Sequence, residues 1–418
     1  MSHRYGVLRH REFALLFTGQ ALSAVGDRVF LVAMPFAVLS LPGAGAGDVG
    51  LTLGASALSL ALCVLVGGVV ADRLPRQLTM LASDMVRCAA QAVGATLLLT
   101  GHAHVWSLAV LMLAYGAAEA FFRPAMLGLV PQVVQPGEEQ PANALLALTQ
   151  NASMVVAPAV AGGLVAWLGP GGSVAVDAAT FAVSAVSLLL LRPRPVAAAQ
   201  GASFLQDLAG GWREVRARRW VWTSLLSLST YHALMLPALF VLGPLVATQI
   251  RDGAASWGWI STGFGTGALV GSLIALRWRP SRPGWVIGVS LAVASSQAAV
   301  CASSLPTWSV ALLEAGTGVG VSIGYTVWET QLQQHIPPHA QSRVSSFDYL
   351  GSLTLMPLGL ALVGPIATQV GVRTTAVWAS VIAALVSIAV ASTPSLRALR
   401  PAVASAPVDP ADVALGRT

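Results

Sequence analysis

Gly67-Gly68-Val69-Val70-Ala71-Asp72-Arg73-Leu74-Pro75-Arg76 joins two long apolar runs, residues 49–71 and 78–99. Each run has about the 20 residues that an α-helix needs to cross a hydrocarbon core roughly 30 Å thick. The turn between them is so short that the two helices must return antiparallel, with the turn on one side of a bilayer. Its glycines permit close helix approach. Asp72 is placed to accept from arginines or a helix N-terminus, and Arg73 and Arg76 mark the polar boundary.

The same alternation continues in both directions. The 418 residues are 55% hydrophobic and only 10% charged, with a mean hydropathy of +0.72. Soluble domains carry about 25% charged residues, so a soluble enzyme or nucleic-acid binder is excluded despite the net charge of +6. Apolar runs recur at 13–40, 49–71, 78–99, 105–122, 141–167 and 173–191. A second set follows at 220–249, 256–276, 284–303, 307–329, 344–370 and 374–392. Residues 1–191 form a first six-helix half, 192–219 a linker, 220–392 a second half and 393–418 a Pro- and Ala-rich tail read as disordered. The run after Met1–Arg11 has no cleavage-site pattern and is too long for a signal-peptide core.

All 23 basic residues are arginine. Placing the N-terminus inside puts Arg4, Arg9, Arg11, Arg73, Arg76, Arg123, Arg192, Arg194, Arg213, Arg216, Arg218, Arg219, Arg277, Arg279, Arg282, Arg343, Arg397, Arg400 and Arg417 on that side. Only Arg251 and Arg373 fall outside, and Arg28 and Arg87 fall within spans. This bias sets both termini in the cytoplasm. In the linker, Phe204, Leu205, Leu208, Trp212 and Val215 recur at helical spacing among arginines, which suits an amphipathic helix on the inner leaflet or a plain basic anchor.

Gly-x-x-x-Asp-Arg-x-x-Arg, here Gly68, Asp72, Arg73 and Arg76 with Asp84 and Arg87 following, resembles the inner-loop signature of the major facilitator superfamily. Three further segments resemble its drug–proton antiporter branch with the enterobactin exporters and macrolide efflux proteins. They are Gly19-Gln20…Gly26-Asp27, Phe122-Arg123-Pro124-Ala125…Pro131…Ala142-Asn143-Ala144, and Gln331…Pro337…Arg343-Val344…Pro357…Gly359…Gly364. The resemblance implies an all-α integral membrane fold of twelve transmembrane helices in two six-helix halves. It also implies a monomeric inner-membrane exporter of drugs or siderophore-like molecules, exchanging them for protons. The fifth span carries a helix-packing motif, Pro158, Gly162 and Gly163, although the antiporter pattern has Gly where this chain has Ala157. The second-half loop Arg277-Trp278-Arg279-Pro280 lacks the acidic signature.

A charge at the bilayer centre costs about 2.5–3.5 kcal/mol on insertion scales, so ionisable residues within spans are functional candidates. At about 1.5 Å per residue, Asp27 lies about 21 Å above the inner boundary. Glu119 lies about 21 Å from the outer end of its span and Glu314 about 10 Å from the outside. Desolvation penalises their charged form, as a proton-exchanging site requires. Asp27, Glu119 and Glu314, with His232 beside Tyr231 near the midplane, are the candidate proton or substrate groups. Each also has a plain reading, as a carboxylate held in a helix–helix hydrogen bond or a neutral packing histidine. Asp177, Glu329 and Asp348 lie near span ends and read as snorkelling or gate residues.

Other patterns carry less. Gly263-x-Gly265-x-Gly267 and Gly316-x-Gly318-x-Gly320 lie in apolar spans with no preceding strand, which fits helix packing better than a nucleotide loop. His335 and His339 flank Pro337-Pro338 and share no helical face for a metal. Cys63, Cys88 and Cys301 are too scattered for a disulfide framework and read as buried thiols. No cofactor is expected, and energy would come from an ion gradient. Within transport, a dedicated exporter of one endogenous metabolite is the alternative; a membrane-embedded enzyme or passive channel is the different class.

Overall fold

The computed structural model describes residues 6–194 and 212–400 except Pro136 and Pro337; side chains at 65, 68–73 and most positions of 338–353 are also outside the description. The described residues are helical throughout, with no strand. The first half comprises α1 (Arg11–Leu39), α2 (Ala46–Arg73), α3 (Arg76–Leu99), α4 (Val105–Val133) and α5 (Glu139–Leu190). α5 is two spans joined at Gly169, whose φ of 72° breaks the helix immediately before Pro170. Only glycine reaches that backbone region cheaply, and proline then starts the next helix.

The second half comprises α6 (Arg219–Ile250), α7 (Ala254–Ala275), α8 (Pro283–Cys301), α9 (Thr307–His335), α10 (Pro338–Val370) and α11 (Val372–Ala391). With the two limbs of α5 counted separately, the described residues hold twelve helical spans. Tyr231–Met235 in α6 is a π-helical turn, a distortion that widens the helix and is common at functional sites. Exposed tryptophans form two belts, Trp106, Trp167, Trp259, Trp308 and Trp378 at one end and Trp212, Trp222, Trp278 and Trp285 at the other. Indole rings favour both bilayer interfaces.

Within the first half α1 packs along α5, and α2 along α4; in the second, α7 lies against α9, and α8 against α9 and α11. The halves meet along α2–α10 and α5–α7. A Cβ on Gly50 would stand 2.2 Å from the Leu360 carbonyl oxygen, and one on Gly364 would stand 2.3 Å from Gly47 Cα. Across the other seam, a Cβ on Gly258 would approach the Pro158 oxygen to 2.6 Å, and one on Gly162 the Ala254 oxygen to 2.8 Å. Small residues bring these backbones into direct contact. These contacts lie towards the end of the bundle remote from the N-terminus, called here the far end, and the α5–α7 seam continues to mid-span, where a Cβ on Gly265 would stand 2.4 Å from the Met154 oxygen. Gly163 is exposed and has open space around it, so the expected packing motif reduces to Pro158 and Gly162.

Two expectations are corrected in part. The tail is not disordered from residue 393, because a helical turn at Pro394–Arg397 buries Leu396 against Gly284. Only Cys301 is fully buried; Cys63 and Cys88 are half-buried. Phe204, Leu205 and Leu208 lie outside the described residues. Residues 212–217 are helical, with Val215 buried and Trp212 against Phe347.

Candidate functional site

Arg87 is the centre of the first half. Its guanidinium donates to Asp84 at 2.5 Å and lies 3.9 Å from Asp27. Phe122 and Phe181 flank it, with centroids at 4.3 and 4.4 Å. Asp84 also accepts from Ser184 (2.6 Å), and Ser184 in turn accepts from Gln20 (3.2 Å). Residues from α1, α3, α4 and α5 therefore converge on one buried cation. The i,i+3 spacing of Asp84 and Arg87 places them on one helix face, and the pair takes two charges out of lipid together.

Asp27 is the member of this network that stays open. Its side chain is 37% exposed, while Arg87 and Asp84 are almost completely enclosed. Tyr115 donates its hydroxyl to Asp27 Oδ1 at 2.9 Å, and Tyr115 itself packs on Phe30 and Phe181. Asp27 is thus oriented by a buried phenol and a buried guanidinium while one side faces free space. Arg28, the next residue, lies within electrostatic reach of Asp27, Glu119 and Arg123. Glu119 is paired with Arg123 one turn along α4, at 3.2 Å. Asp27 and Glu119 stand alike as candidates in the sequence; the structure separates a carboxylate paired within its own helix from one held by a network across helices.

Asp177, near its span end, does not snorkel: it is wholly buried, accepting from Gln91 at 2.8 Å and from Thr180 at 3.4 Å. It faces Gly26, whose missing side chain makes the room: a Cβ there would lie 2.6 Å from Asp177 Oδ1. Glu314 is buried in the second half, away from Asp27, with Gln297, Thr317 and Cys301 around it. His232 lies in the π-helical turn, with Nδ1 donating to the Leu228 carbonyl (2.8 Å) and its ring edge-on to Tyr231. Glu329 is half-buried near the end of α9; Asp348 is outside the described side chains.

Of the loop signature, the side chains of Gly68, Asp72 and Arg73 are also outside the description. Arg76 donates to the Gly128 carbonyl at 2.6 Å, and its neighbour Gln77 donates to the Leu188 and Leu191 carbonyls. These bonds tie α3 to α4 and to the end of α5.

The profile of the Major Facilitator Superfamily matches residues 16–352. The chain belongs to this superfamily. It is a membrane transporter, not an enzyme. Among curated relatives, this facilitator is 27% identical over 404 residues to "Multidrug efflux pump Tap" of Mycolicibacterium fortuitum, covering 92% of this chain and 96% of the other. It is 28% identical over 387 residues to "Multidrug efflux pump Tap" of Mycobacterium tuberculosis, covering 88% and 89%. "Macrolide efflux protein A" of Streptococcus pyogenes is 22% identical over 390 residues, covering 87% and 91%. In fold, this facilitator is similar to the crystal structure of a bacterial homolog of the human lysosomal transporter Spinster in an inward-facing, unoccupied conformation. That match has a TM-score of 0.70 at 16% identity and covers 94% and 97% of the two chains. A bacterial homologue of the iron transporter ferroportin in an inward-facing state gives a TM-score of 0.65 at 18% identity, covering 92% and 99%.

The Arg87 network yields a stability prediction. Removing one partner of a buried pair leaves an uncompensated charge and costs about 3–5 kcal/mol. Arg87→Met is therefore expected to lower the thermal midpoint of the detergent-solubilised facilitator markedly. Adding Asp84→Asn to Arg87→Met should recover part of the loss. A double variant no more stable than Arg87→Met alone would show that the two residues do not act as a pair.

Proposed function

We propose that this facilitator exports amphipathic small molecules, cationic drugs among them, in exchange for protons, and that Asp27 is the proton carrier. The observation that carries the proposal is the partly open Asp27 carboxylate, held by Tyr115 and beside Arg87 within the helices of the first half. A carrier needs two stable states. Protonated, Asp27 leaves Arg87 to Asp84; ionised, it competes with Asp84 for the same guanidinium or pairs with a cationic substrate. The relatives named multidrug efflux pumps and macrolide efflux protein support a drug-like substrate class.

In this reading both termini are cytoplasmic and the protein acts as a monomer in the inner membrane. The glycine seams then lie on the external side, so the molecule is closed outwards and Asp27 communicates with the cytoplasm. Asp72 and Arg73 serve the inner gate, with Arg76, Asp84 and Arg87 anchoring it. Glu119, paired with Arg123, tunes the charge of the cavity. The two halves, 1–191 and 220–392, rock about the central site in alternating access.

The substrate class is tested by accumulation of ethidium, macrolides and siderophores in cells with and without the gene. Lower ethidium or macrolide accumulation in expressing cells is expected; a change confined to one endogenous product would favour the dedicated exporter. Orientation is tested separately with Gln200→Cys in the linker. That thiol should resist an impermeant maleimide in intact cells and react in inverted vesicles. Labelling from outside would reverse the orientation.

A further inference from the structure

The turn between α7 and α8, Arg277-Trp278-Arg279-Pro280-Ser281-Arg282, corresponds to the loop that carries Asp72 and Arg73 in the first half, but it holds arginines without the acid. Between Asp252 and Glu314 the sequence has no acidic residue. Arg277, Arg279 and Arg282 are all exposed. The ion pairs among the described residues involve His10, Arg11, Arg87, Arg123 and Arg218, and none reaches this turn. The next helix adds to the excess of positive charge. α8 starts at Pro283 with no side-chain cap and no acid in its first turn. The positive end of its dipole and its first N–H groups therefore face the same turn.

The approach to these arginines is apolar. Val270, Leu273, Ile274, Arg277 and Trp278 follow the i, i+3, i+4, i+7, i+8 spacing of one helix face. They line a groove of about 470 Å³, and all five are exposed. Trp259, three turns earlier on that face, is exposed in the far-end tryptophan belt, and Trp278 belongs to the opposite belt. The groove thus runs along hydrocarbon and ends at headgroup level, where indole and guanidinium groups sit. α8 packs on α9 and α11, so the arginines of the turn are not engaged in holding α8 to α7. An apolar groove that ends in a guanidinium and an indole, beside two further arginines and an uncapped helix start, is complementary to an amphiphile with an anionic head.

We propose that this turn and the α7 groove bind one anionic phospholipid from the leaflet at the end opposite the far end. Its phosphate supplies the counter-charge that the turn lacks, held by Arg277, Arg279 and Arg282 at the start of α8. One acyl chain lies along Val270, Leu273 and Ile274, and the lipid joins α7 to α8. A zwitterionic lipid would bring its own ammonium group into the arginine cluster, so selectivity for an anionic head follows from charge. The site is independent of Asp27 and of proton coupling.

The test uses the purified full-length protein in an uncharged detergent, titrated with phosphatidylglycerol, phosphatidylcholine or glycerol 3-phosphate. Retained lipid is counted by native mass spectrometry, with the thermal midpoint as a second readout. Phosphatidylglycerol should be retained, with one molecule held most tightly, and should raise the midpoint. Phosphatidylcholine shares its chains, and glycerol 3-phosphate shares its phosphate; neither should substitute for it. Each basic side chain near an anionic head is worth about fivefold in affinity, so Arg277→Gln/Arg279→Gln/Arg282→Gln should weaken the tight molecule about a hundredfold. Val270→Trp fills the groove and should expel the lipid with the arginines intact. Arg213→Gln/Arg216→Gln, which removes charge from the same end outside the site, should leave it bound. Equal retention of phosphatidylcholine, or an equal loss in Arg213→Gln/Arg216→Gln, would reduce the effect to a general attraction and refute the site. A full response to glycerol 3-phosphate would refute it too, as a free-phosphate site with no use for the groove. Should the triple variant fail to fold, Arg279→Gln alone is expected to weaken binding about fivefold, and unchanged retention refutes the site equally.

Discussion

Asp27→Asn is expected to abolish proton exchange by this facilitator while leaving it folded in the membrane. The asparagine keeps the shape and still accepts from Tyr115, so the geometry at 2.9 Å survives. It cannot bind and release a proton, and Arg87 is left to Asp84 permanently. Export of ethidium against its gradient should fall at least tenfold, whereas movement down the gradient continues. Glu119→Gln should do much less, because Glu119 is already matched by Arg123 at 3.2 Å; a loss of a few-fold, mainly in apparent affinity, is expected. The comparison is made in proteoliposomes containing equal amounts of each variant. Full uphill export by Asp27→Asn would move the carrier role elsewhere.

The second large effect belongs to the glycine seams. Gly258→Val places a branched side chain where even a Cβ would lie 2.6 Å from the Pro158 oxygen and 3.1 Å from Gly162 Cα. Both contacts are backbone and cannot step aside, so α5 and α7 must separate. The helix itself is not weakened, since valine, although β-branched, is no poorer a helix former than glycine. The variant should therefore insert and fold, yet fail to close its far end, and transport should drop to background. Spin labels at Ser40→Cys and Thr248→Cys, positions that line one cavity at the far end from opposite halves, are expected to move apart. Normal transport by well-inserted Gly258→Val would mean that this seam never has to close.

Much of this was legible in the sequence. Apolar runs and the one-sided arginines defined the helical spans because membrane insertion depends on local hydropathy and flanking charge, both of which are linear properties. Asp84 and Arg87 could be paired from their spacing alone. The same rule would have paired Glu119 with Arg123, four residues on, and thereby lowered Glu119 as a carrier. Asp177 does lie near a span end, but closeness to the end of a span does not reveal which face of the helix is covered. Its burial comes from Gly26 on a different helix, which lets Thr180 and Asp177 press against α1. A glycine beside an intramembrane acid, and a glutamine such as Gln91 within a neighbouring span, were the available signals. Nothing linear could have put Tyr115, Phe122 and Phe181 around Arg87; that convergence exists only after the helices pack. The same holds for Tyr231 and Gln297 at Glu314.

The most direct test of proton-coupled export is proton movement by the unaltered protein. Proteoliposomes holding a pH-sensitive dye are given an ethidium gradient, with no pH gradient imposed. Proton-coupled export predicts that ethidium moving one way drives protons the other way, in a fixed ratio, and that Asp27→Asn removes the proton signal but not the ethidium flux. Ethidium crossing at full rate with no accompanying proton movement in the unaltered protein would contradict it.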